Sequence, residues 1–326
     1  MSKKYNICLD IGGTKVLGAV FNGKDKLVCK VKRRSTDQGA ESENIEAVII
    51  EVTRLLLQKA NIKKSQINAI SAGVPGIVDS KNGIVVFTPN LPWRNYDLRS
   101  AIEKEFGAKF YLGNDVNVGV LGEYRYGAGR GHKNIVGFFI GTGVGGGLIL
   151  NKKLYVGHEF KAGELGHLII DENGPLCGCG NHGCLEAFSS KKGMAKYILS
   201  QIEAGRPSEM GEAIDEHGVF KSKFLKMAVE HQDQVALEAI DQACHYLAIG
   251  AGSMINALSP DCVIFGGGVI EALGDLFMEK ILAEIDKYAM PAIRPSVEIM
   301  KASLGDYSNI YGALAMIKDA EKGKRK

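Results

Sequence analysis

Three cysteines crowd into one short segment, at Cys177, Cys179 and Cys184. Thiols at this spacing, with glycines between them, are typical of a small zinc-binding loop, and tetrahedral zinc needs a fourth ligand. His182 would need a very tight turn between Cys179 and Cys184, so we predict His167 as that ligand. Four protein ligands would make the site closed and structural. Free thiols in a cytosolic loop are the alternative.

A first glycine loop follows a short apolar run near the N-terminus and contains Asp10, Gly12, Gly13, Thr14 and Lys15. Glycines let the backbone approach a phosphate, and successive amides can form an anion-binding nest. Thr14 would add a hydroxyl, Lys15 a positive charge, and Asp10 could position Mg²⁺. The spacing is not that of a Walker A loop. An ordinary β-hairpin turn is the alternative.

A second glycine loop contains a G-x-G-x-x-G match at Gly141, Gly143 and Gly146. A dinucleotide-binding fingerprint needs a helix directly after the glycines. Here the glycines run into LILNKKLYV, which is typical of a strand and a turn. The hypothesis of an oxidoreductase that uses a dinucleotide is therefore weakened. We predict a phosphate-binding loop formed by Gly141, Thr142 and Gly143. A purely structural bend remains open.

A third glycine run, at Gly266, Gly267 and Gly268, follows an apolar strand-like segment and precedes a helical pattern. A nucleobase or ribose can lie against such a backbone because no side chain intervenes. A tight β–α turn explains the run equally well when it is taken alone. Three such loops in one chain together favour a nucleotide site.

Asn114 and Asp115 stand between the first and second glycine loops, where a short strand gives way to a helix. The helix N-terminus favours the ionised carboxylate. Phosphoryl transfer needs a carboxylate that accepts the proton of the attacking hydroxyl, and Asp115 fits that role. Asn114 would hold a neighbouring hydroxyl. A plain helix cap is the alternative.

The elements that must position these residues alternate between strands and helices. We predict three strands over 5–34, a helix over 42–60, strands at 67–72 and 109–113, a helix over 115–126, two strands over 134–150, a helix over 232–258, a strand at 262–266, a helix over 272–288, a strand at 296–300 and a helix over 306–319. Antiparallel hairpins followed by parallel crossovers indicate two α/β lobes with a cleft between them. We place the small lobe at 1–120, with a C-terminal helix within 306–326 packing back on it, and the large lobe with its zinc-binding loop at 121–305.

Composition excludes several other classes of protein. The 326 residues carry a net charge of +3, too small to indicate binding to nucleic acid or to a membrane surface. No run of about 18 apolar residues and no signal peptide is visible, so we expect a cytoplasmic protein.

Taken together, the motifs resemble those of the ROK family (repressors, open reading frames and sugar kinases), and within it those of the glucokinases. The resemblance covers nearly the whole chain. The matching segments are DIGGTK at 10–15, GVPG at 73–76, GND at 113–115, GTGVGGG at 141–147, GELGH at 163–167, CGCGNHGCLE at 177–186 and FGGG at 265–268. The cysteine motif with its upstream GELGH is the most specific of them.

This resemblance implies an actin-like, ribonuclease-H-like α/β fold with two lobes, often assembled as a homodimer or higher homo-oligomer. It implies ATP with Mg²⁺, held by the loops at 12–15, 141–143 and 266–268, and Asp115 as the general base. It also implies a sugar site formed by Gly73, Asn90, Asn114, Asp115, Glu164, His167 and Glu186. His167 would serve twice, with one ring nitrogen on zinc and the other on a sugar hydroxyl.

The expected function is therefore an ATP-dependent kinase acting on the 6-hydroxyl of an aldohexose, with glucose as the first choice. Kinases for N-acetylmannosamine, N-acetylglucosamine, allose or fructose share the same catalytic parts and remain open. A non-catalytic sugar-sensing regulator is the alternative of another class. The repressor branch carries a DNA-binding segment before the first glycine loop, and here that loop begins at residue 10, so we expect no DNA-binding role.

Overall fold

The computed structural model describes residues 4–13, 15–34, 45–88 and 91–323. Their strands are β1 Tyr5–Ile11, β2 Lys15–Phe21, β3 Leu27–Arg34, β4 Ile67–Val74, β5 Ile77–Asp79, β6 Ile84–Phe87, β7 Arg94–Asp97, β8 Lys109–Asn114, β9 Ile135–Ile140, β10 Val144–Leu150, β11 Lys153–Tyr155, β12 Cys262–Gly266 and β13 Glu298–Lys301. Their α-helices are α1 Ile45–Ala60, α2 Leu98–Phe106, α3 Asp115–Tyr126, α4 Leu185–Ser189, α5 Lys191–Glu203, α6 Ser222–Glu230, α7 Gln234–Leu258, α8 Gly268–Ile285 and α9 Ser308–Gly323.

The chain divides into two compact units. The first comprises Met1–Arg130, Val156–Ala162 and Tyr307–Lys326, and the second comprises Gly131–Tyr155 and Gly163–Asp306. Helix α9 therefore belongs to the first unit. The boundary that we placed near residue 120 lies inside α3, and the first division in the structure falls between Arg130 and Gly131.

The first unit is built on a five-stranded sheet in the order β3-β2-β1-β4-β8. Strands β1, β2 and β3 pair antiparallel, whereas β4 and β8 are parallel to β1. Alternation along β1 gives the sheet two apolar faces. Ile7 and Leu9 pack in the same core cluster as Val52 of α1, and Cys8 packs in a second cluster with Leu314 of α9. Helices thus cover both faces.

The backbones of helices α3 and α9 in the first unit lie in close contact. A Cβ atom at Gly312 would lie 1.7 Å from the carbonyl oxygen of Val118, and one at Gly122 would lie 2.1 Å from that of Ser308. No side chain fits at either position. Glycine at these two positions therefore sets the place of α3, the helix that begins at Asp115.

The second unit repeats the strand arrangement of the first. Its sheet has the order β11-β10-β9-β12-β13, with β9, β10 and β11 antiparallel and with β12 and β13 parallel to β9. Phe138 of β9 and Phe265 of β12 stack at 5.6 Å between ring centroids and pack with Leu247 of α7 in one core cluster.

Most predicted elements form, with differences at their ends. The helix predicted over 272–288 begins at Gly268, because Gly267 adopts φ 89° and turns the chain from β12 directly into α8. Positive φ is a conformation that glycine adopts without strain, so the glycine run is itself the helix start. Within the described part of the chain, no helix is both long enough and apolar enough to span a membrane.

Candidate active site

Candidate residues of the first unit lie at the carboxyl ends of three neighbouring parallel strands. Asp10 of β1 stands opposite Gly73 of β4, and Gly73 stands opposite Gly113 of β8. Ligands of open α/β sheets bind at this edge. Asp10, Gly73 and the Asn114-Asp115 pair therefore share one edge of the sheet.

Asp115 is the first residue of α3, and Asn114 is its N-cap. The Asn114 side chain accepts a hydrogen bond from the Asn117 amide (3.0 Å) and donates one to the Gly76 carbonyl (3.0 Å). Asp115 Oδ1 accepts from the Val116 amide (2.9 Å) at the positive end of the helix dipole. The cap role thus belongs to Asn114, which leaves Asp115 one position further on, where a carboxylate can serve chemistry.

Gly73 lies close to the backbone of Asp115. A Cβ atom at Gly73 would lie 3.3 Å from the Cα atom of Asp115, which is tighter than ordinary van der Waals contact. The role of Gly73 is therefore to permit the close approach of β4 and α3.

The first glycine loop is a tight connection between β1 and β2. The Gly12 amide donates to the Lys15 carbonyl (2.8 Å), and Ile11 pairs with Val16 across the hairpin. The segment therefore forms a β-hairpin turn, and phosphate binding by the same segment stays a prediction. Thr14, and Asn90 of the predicted sugar site, lie outside the described residues.

Asn309 is a first-unit residue that sequence reasoning missed. Its Nδ2 atom donates to Asp10 Oδ1 at 2.8 Å from the first turn of α9. The two residues are 299 positions apart, so no local pattern in the sequence could link them.

The second glycine loop joins β9 to β10, so a strand follows the glycines. The Gly141 amide donates to the Gly143 carbonyl at 2.8 Å, closing a tight turn. This arrangement lacks the helix that a dinucleotide fingerprint requires.

The GELGH segment packs directly on β10 through two glycines. A Cβ atom at Gly146 would lie 2.4 Å from the Gly163 carbonyl oxygen, and one at Gly166 would lie 1.9 Å from that of Val144. Glu164 directly follows Gly163 and His167 directly follows Gly166, so both are held beside the strand that follows the second loop.

The third glycine run lies at the same sheet edge as the second loop, because β9 and β12 are parallel neighbours. A Cβ atom at Gly267 would lie 2.5 Å from the Ile140 carbonyl oxygen, directly before Gly141. Two of the three predicted phosphate or nucleotide segments therefore meet within the second unit.

Two further polar residues border these loops and carry no motif that could have identified them. The Lys191 amide donates to the Gly141 carbonyl (3.0 Å), and its Nζ atom would lie 3.8 Å from a Cβ atom at Gly268. Ser222 Oγ would lie 3.9 Å from the same point, is buried, and has no hydrogen-bond partner among the described residues. Both side chains therefore lie beside Gly268.

The cysteine cluster brings together the four residues predicted as metal ligands. The ligand atoms of His167, Cys177, Cys179 and Cys184 all lie within 4.8 Å of one another. Cys177 Sγ lies 3.7 Å from His167 Nδ1, and Cys179 Sγ lies 3.6 Å from Cys184 Sγ. Zn–S bonds of about 2.3 Å give edges of about 3.7 Å in a tetrahedron. The residues present therefore fit zinc.

Without a cation, burial holds two of these thiols in the neutral form. Burial raises the pKa of Cys184 to about 12 and raises the pKa of Cys177, whereas a hydrogen bond from the Asn181 backbone lowers the pKa of the exposed Cys179. A metal ion would stabilise all three as thiolates. His182 instead points its Nδ1 atom at the Gly174 carbonyl, 3.1 Å away, and takes no part in the cluster.

Glu186 lies beside the same cluster, in the second position of α4. Its Oε1 atom is 3.9 Å from Cys177 Sγ, so the predicted sugar ligands His167 and Glu186 flank one thiol. The structure thus gathers Glu164, His167 and Glu186 on segments that pack on or beside β10, and it gathers Asp10, Gly73, Asn114 and Asp115 at the sheet edge of the first unit.

The sheet order in both units defines the actin-like α/β fold, and the same fold occurs in solved ROK structures. Residues 6–320 match the ROK family, so the chain belongs to that family. Family membership was implied by the motifs and is confirmed.

Known relatives include both enzymes and regulators. The glucokinase of Halalkalibacterium halodurans is 31% identical over 100% of this chain and 98% of its own length. The ROK glucokinase of Streptomyces griseus, solved with glucose and AMPPNP, is 28% identical, covers 96% of this chain and 98% of its own, and has a TM-score of 0.80. The xylose repressor of Bacillus spizizenii is 28% identical over 96% of this chain and 77% of its own length.

Proposed function

We propose that the protein is an ATP-dependent sugar kinase that phosphorylates the 6-hydroxyl of an aldohexose, with glucose as the preferred substrate. The observation that carries the proposal is the position of Asp115, at the N-terminus of α3 and at the sheet edge that also holds Asp10. A capping role for Asp115 is not needed, because Asn114 already caps the helix.

In this mechanism Asp115 accepts the proton of the sugar 6-hydroxyl as its oxygen attacks the γ-phosphorus of ATP. The bond from that phosphorus to the β–γ bridging oxygen breaks, and ADP leaves. The positive end of a helix dipole favours a carboxylate over the neutral acid, and phosphoryl transfer needs such a proton acceptor. Amides of the glycine loops and the Lys15 ammonium balance the phosphate charge. Asp10 would hold Mg²⁺, which would supply positive charge to the phosphates.

The sugar would be oriented by hydrogen bonds with Asn114, Glu164, His167 and Glu186, and Asn90 is a further predicted partner. Ionised Glu164 and Glu186 only accept hydrogen bonds, whereas the Asn side chains and His167 can donate. The cluster of His167, Cys177, Cys179 and Cys184 would hold a structural zinc ion. His167 Nδ1 faces the thiols, which leaves Nε2 for a sugar hydroxyl.

A non-catalytic sugar-responsive regulator is the second candidate, and the similarity to the xylose repressor of Bacillus spizizenii favours it. Phosphorus NMR of the purified protein with ATP and glucose separates the two. The kinase proposal predicts a phosphomonoester on the sugar 6-position together with ADP. Glucose binding without consumption of ATP would instead support the regulator.

A further inference from the structure

The carboxylate of Glu186 is bonded to the second glycine loop. Its Oε2 atom accepts a hydrogen bond from the Val144 amide at 2.8 Å, and Val144 directly follows the loop at 141–143. Glu186 is half-buried, so the bond is partly shielded from water. A carboxylate that accepts from a backbone amide in such a place forms one of the stronger hydrogen bonds in proteins.

The same carboxylate lies against Gly143. A Cβ atom at Gly143 would lie 2.2 Å from Glu186 Oε2. Gly143 is not among the glycines with positive φ, so the backbone conformation alone would admit a side chain. A side chain at Gly143 would therefore displace the Glu186 carboxylate from its position beside the loop.

The second oxygen atom of the Glu186 carboxylate, Oε1, faces the metal-binding cluster. Glu186 Oε1 lies 3.9 Å from Cys177 Sγ, and Cys177 Sγ lies 3.7 Å from His167 Nδ1. Glu186 is also two residues beyond Cys184, in the short helix α4. One side chain thus stands between the four-residue cluster and the predicted phosphate loop.

We propose that Glu186 is a positioning residue that holds the 141–143 loop in its nucleotide-binding conformation and couples that loop to the cluster. The identity of the loop's ligand rests on the proposed kinase function. The coupling itself rests only on the contacts of Glu186. A group that orders a phosphate loop before the nucleotide arrives lowers the cost of binding.

Three substitutions separate the position of the acceptor oxygen from its charge. Glu186→Ala removes the acceptor. Glu186→Gln keeps a carbonyl oxygen at the same reach without the charge, and Glu186→Asp keeps the charge but draws the oxygens back by about 1.5 Å. Glu172→Ala removes an exposed carboxylate from the same unit and is the matched control.

The first readout is hydrogen exchange of the Val144 amide in the metal-loaded protein without ligands. We expect Glu186→Ala and Glu186→Asp to speed exchange by about tenfold or more, because the acceptor oxygen is removed in the first variant and drawn out of reach of the Val144 amide in the second. Glu186→Gln and Glu172→Ala should remain close to wild type. If Glu186→Ala does not fold, the exchange rates of Glu186→Asp and Glu186→Gln decide. A purely electrostatic role would make exchange faster in Glu186→Gln than in Glu186→Asp.

The second readout is titration with ADP in the absence of sugar. We expect ADP to bind about tenfold more weakly to Glu186→Asp than to wild type, whereas Glu186→Gln keeps near-normal affinity. Unchanged Val144 exchange in both the Ala and Asp variants would overturn the inference, and so would equal ADP affinity in the Asp and Gln variants. A wild-type protein that binds no ADP would overturn the kinase proposal, while the exchange readout would still decide the role of Glu186.

Discussion

Asn309 and Asp10 form a hydrogen bond of 2.8 Å between the beginning of α9 and the end of β1. Asp10 is the residue that the proposed mechanism assigns to Mg²⁺, and its carboxylate orientation is set by a side chain from the far end of the sequence. Residues that orient a metal-binding carboxylate commonly affect activity almost as strongly as the ligands themselves.

We therefore expect Asn309→Ala to lower kcat/KM by about tenfold and to raise the Mg²⁺ concentration needed for half-maximal activity. Sugar affinity should stay near wild type. Steady-state kinetics over a Mg²⁺ series measure this. Asn68→Ala is the matched control, because Asn68 also donates to α9, at Glu321, but lies away from Asp10. Identical Mg²⁺ dependence in Asn309→Ala and wild type would refute the positioning role.

A second prediction concerns the contact between α3 and α9. Gly312→Ala would place a methyl group 1.7 Å from the Val118 carbonyl oxygen, so the two helices must move apart. We expect the free energy of unfolding to fall by about 1–3 kcal/mol or more, measured by urea denaturation. At Gly23 the nearest atom to an added Cβ is 3.7 Å away. Gly23→Ala should therefore be close to neutral, and equal losses in the two variants would count against the close-packing explanation.

A third prediction concerns the metal. Elemental analysis of the purified protein should find one zinc ion per chain, held by the cluster at His167, Cys177, Cys179 and Cys184. Cys184→Ser should lose the zinc and bind sugar about 10- to 100-fold more weakly, because His167 would no longer be held. Cys29→Ser is the control, since Cys29 lies on β3 of the other unit. A metal-free protein with full activity would contradict the assignment.

The sequence predicted those parts of the site that local chemistry encodes. Glycine runs next to apolar strands, the spacing of three cysteines and the Asn114-Asp115 pair at a helix start each follow from a few neighbouring residues. His167 was preferred to His182 by a steric argument, and the structure places His167 among the thiols.

The parts that escaped prediction depend on distant pairings. Asn309, Lys191 and Ser222 become relevant only when strand order brings α9 to Asp10 and places α5 and α6 beside Gly268. None of the three carries a spacing or composition that differs from an ordinary surface helix. The carboxylate of Glu186 was predicted as a sugar ligand, but its bond to Val144 is visible only in the folded chain.

The most direct test of the kinase proposal is sugar-dependent ADP release, compared between the wild-type protein and Asp115→Asn. Asn keeps an acceptor oxygen for the Val116 amide, so the helix start should survive the change. With glucose, we predict ADP release by the wild type and a kcat about 10²- to 10⁴-fold lower in the variant, with glucose and ATP affinity nearly unchanged. A panel of N-acetylmannosamine, N-acetylglucosamine, allose and fructose ranks the alternative substrates. Near-normal turnover by Asp115→Asn, or no ADP release by the wild type with any sugar in the panel, would contradict the account.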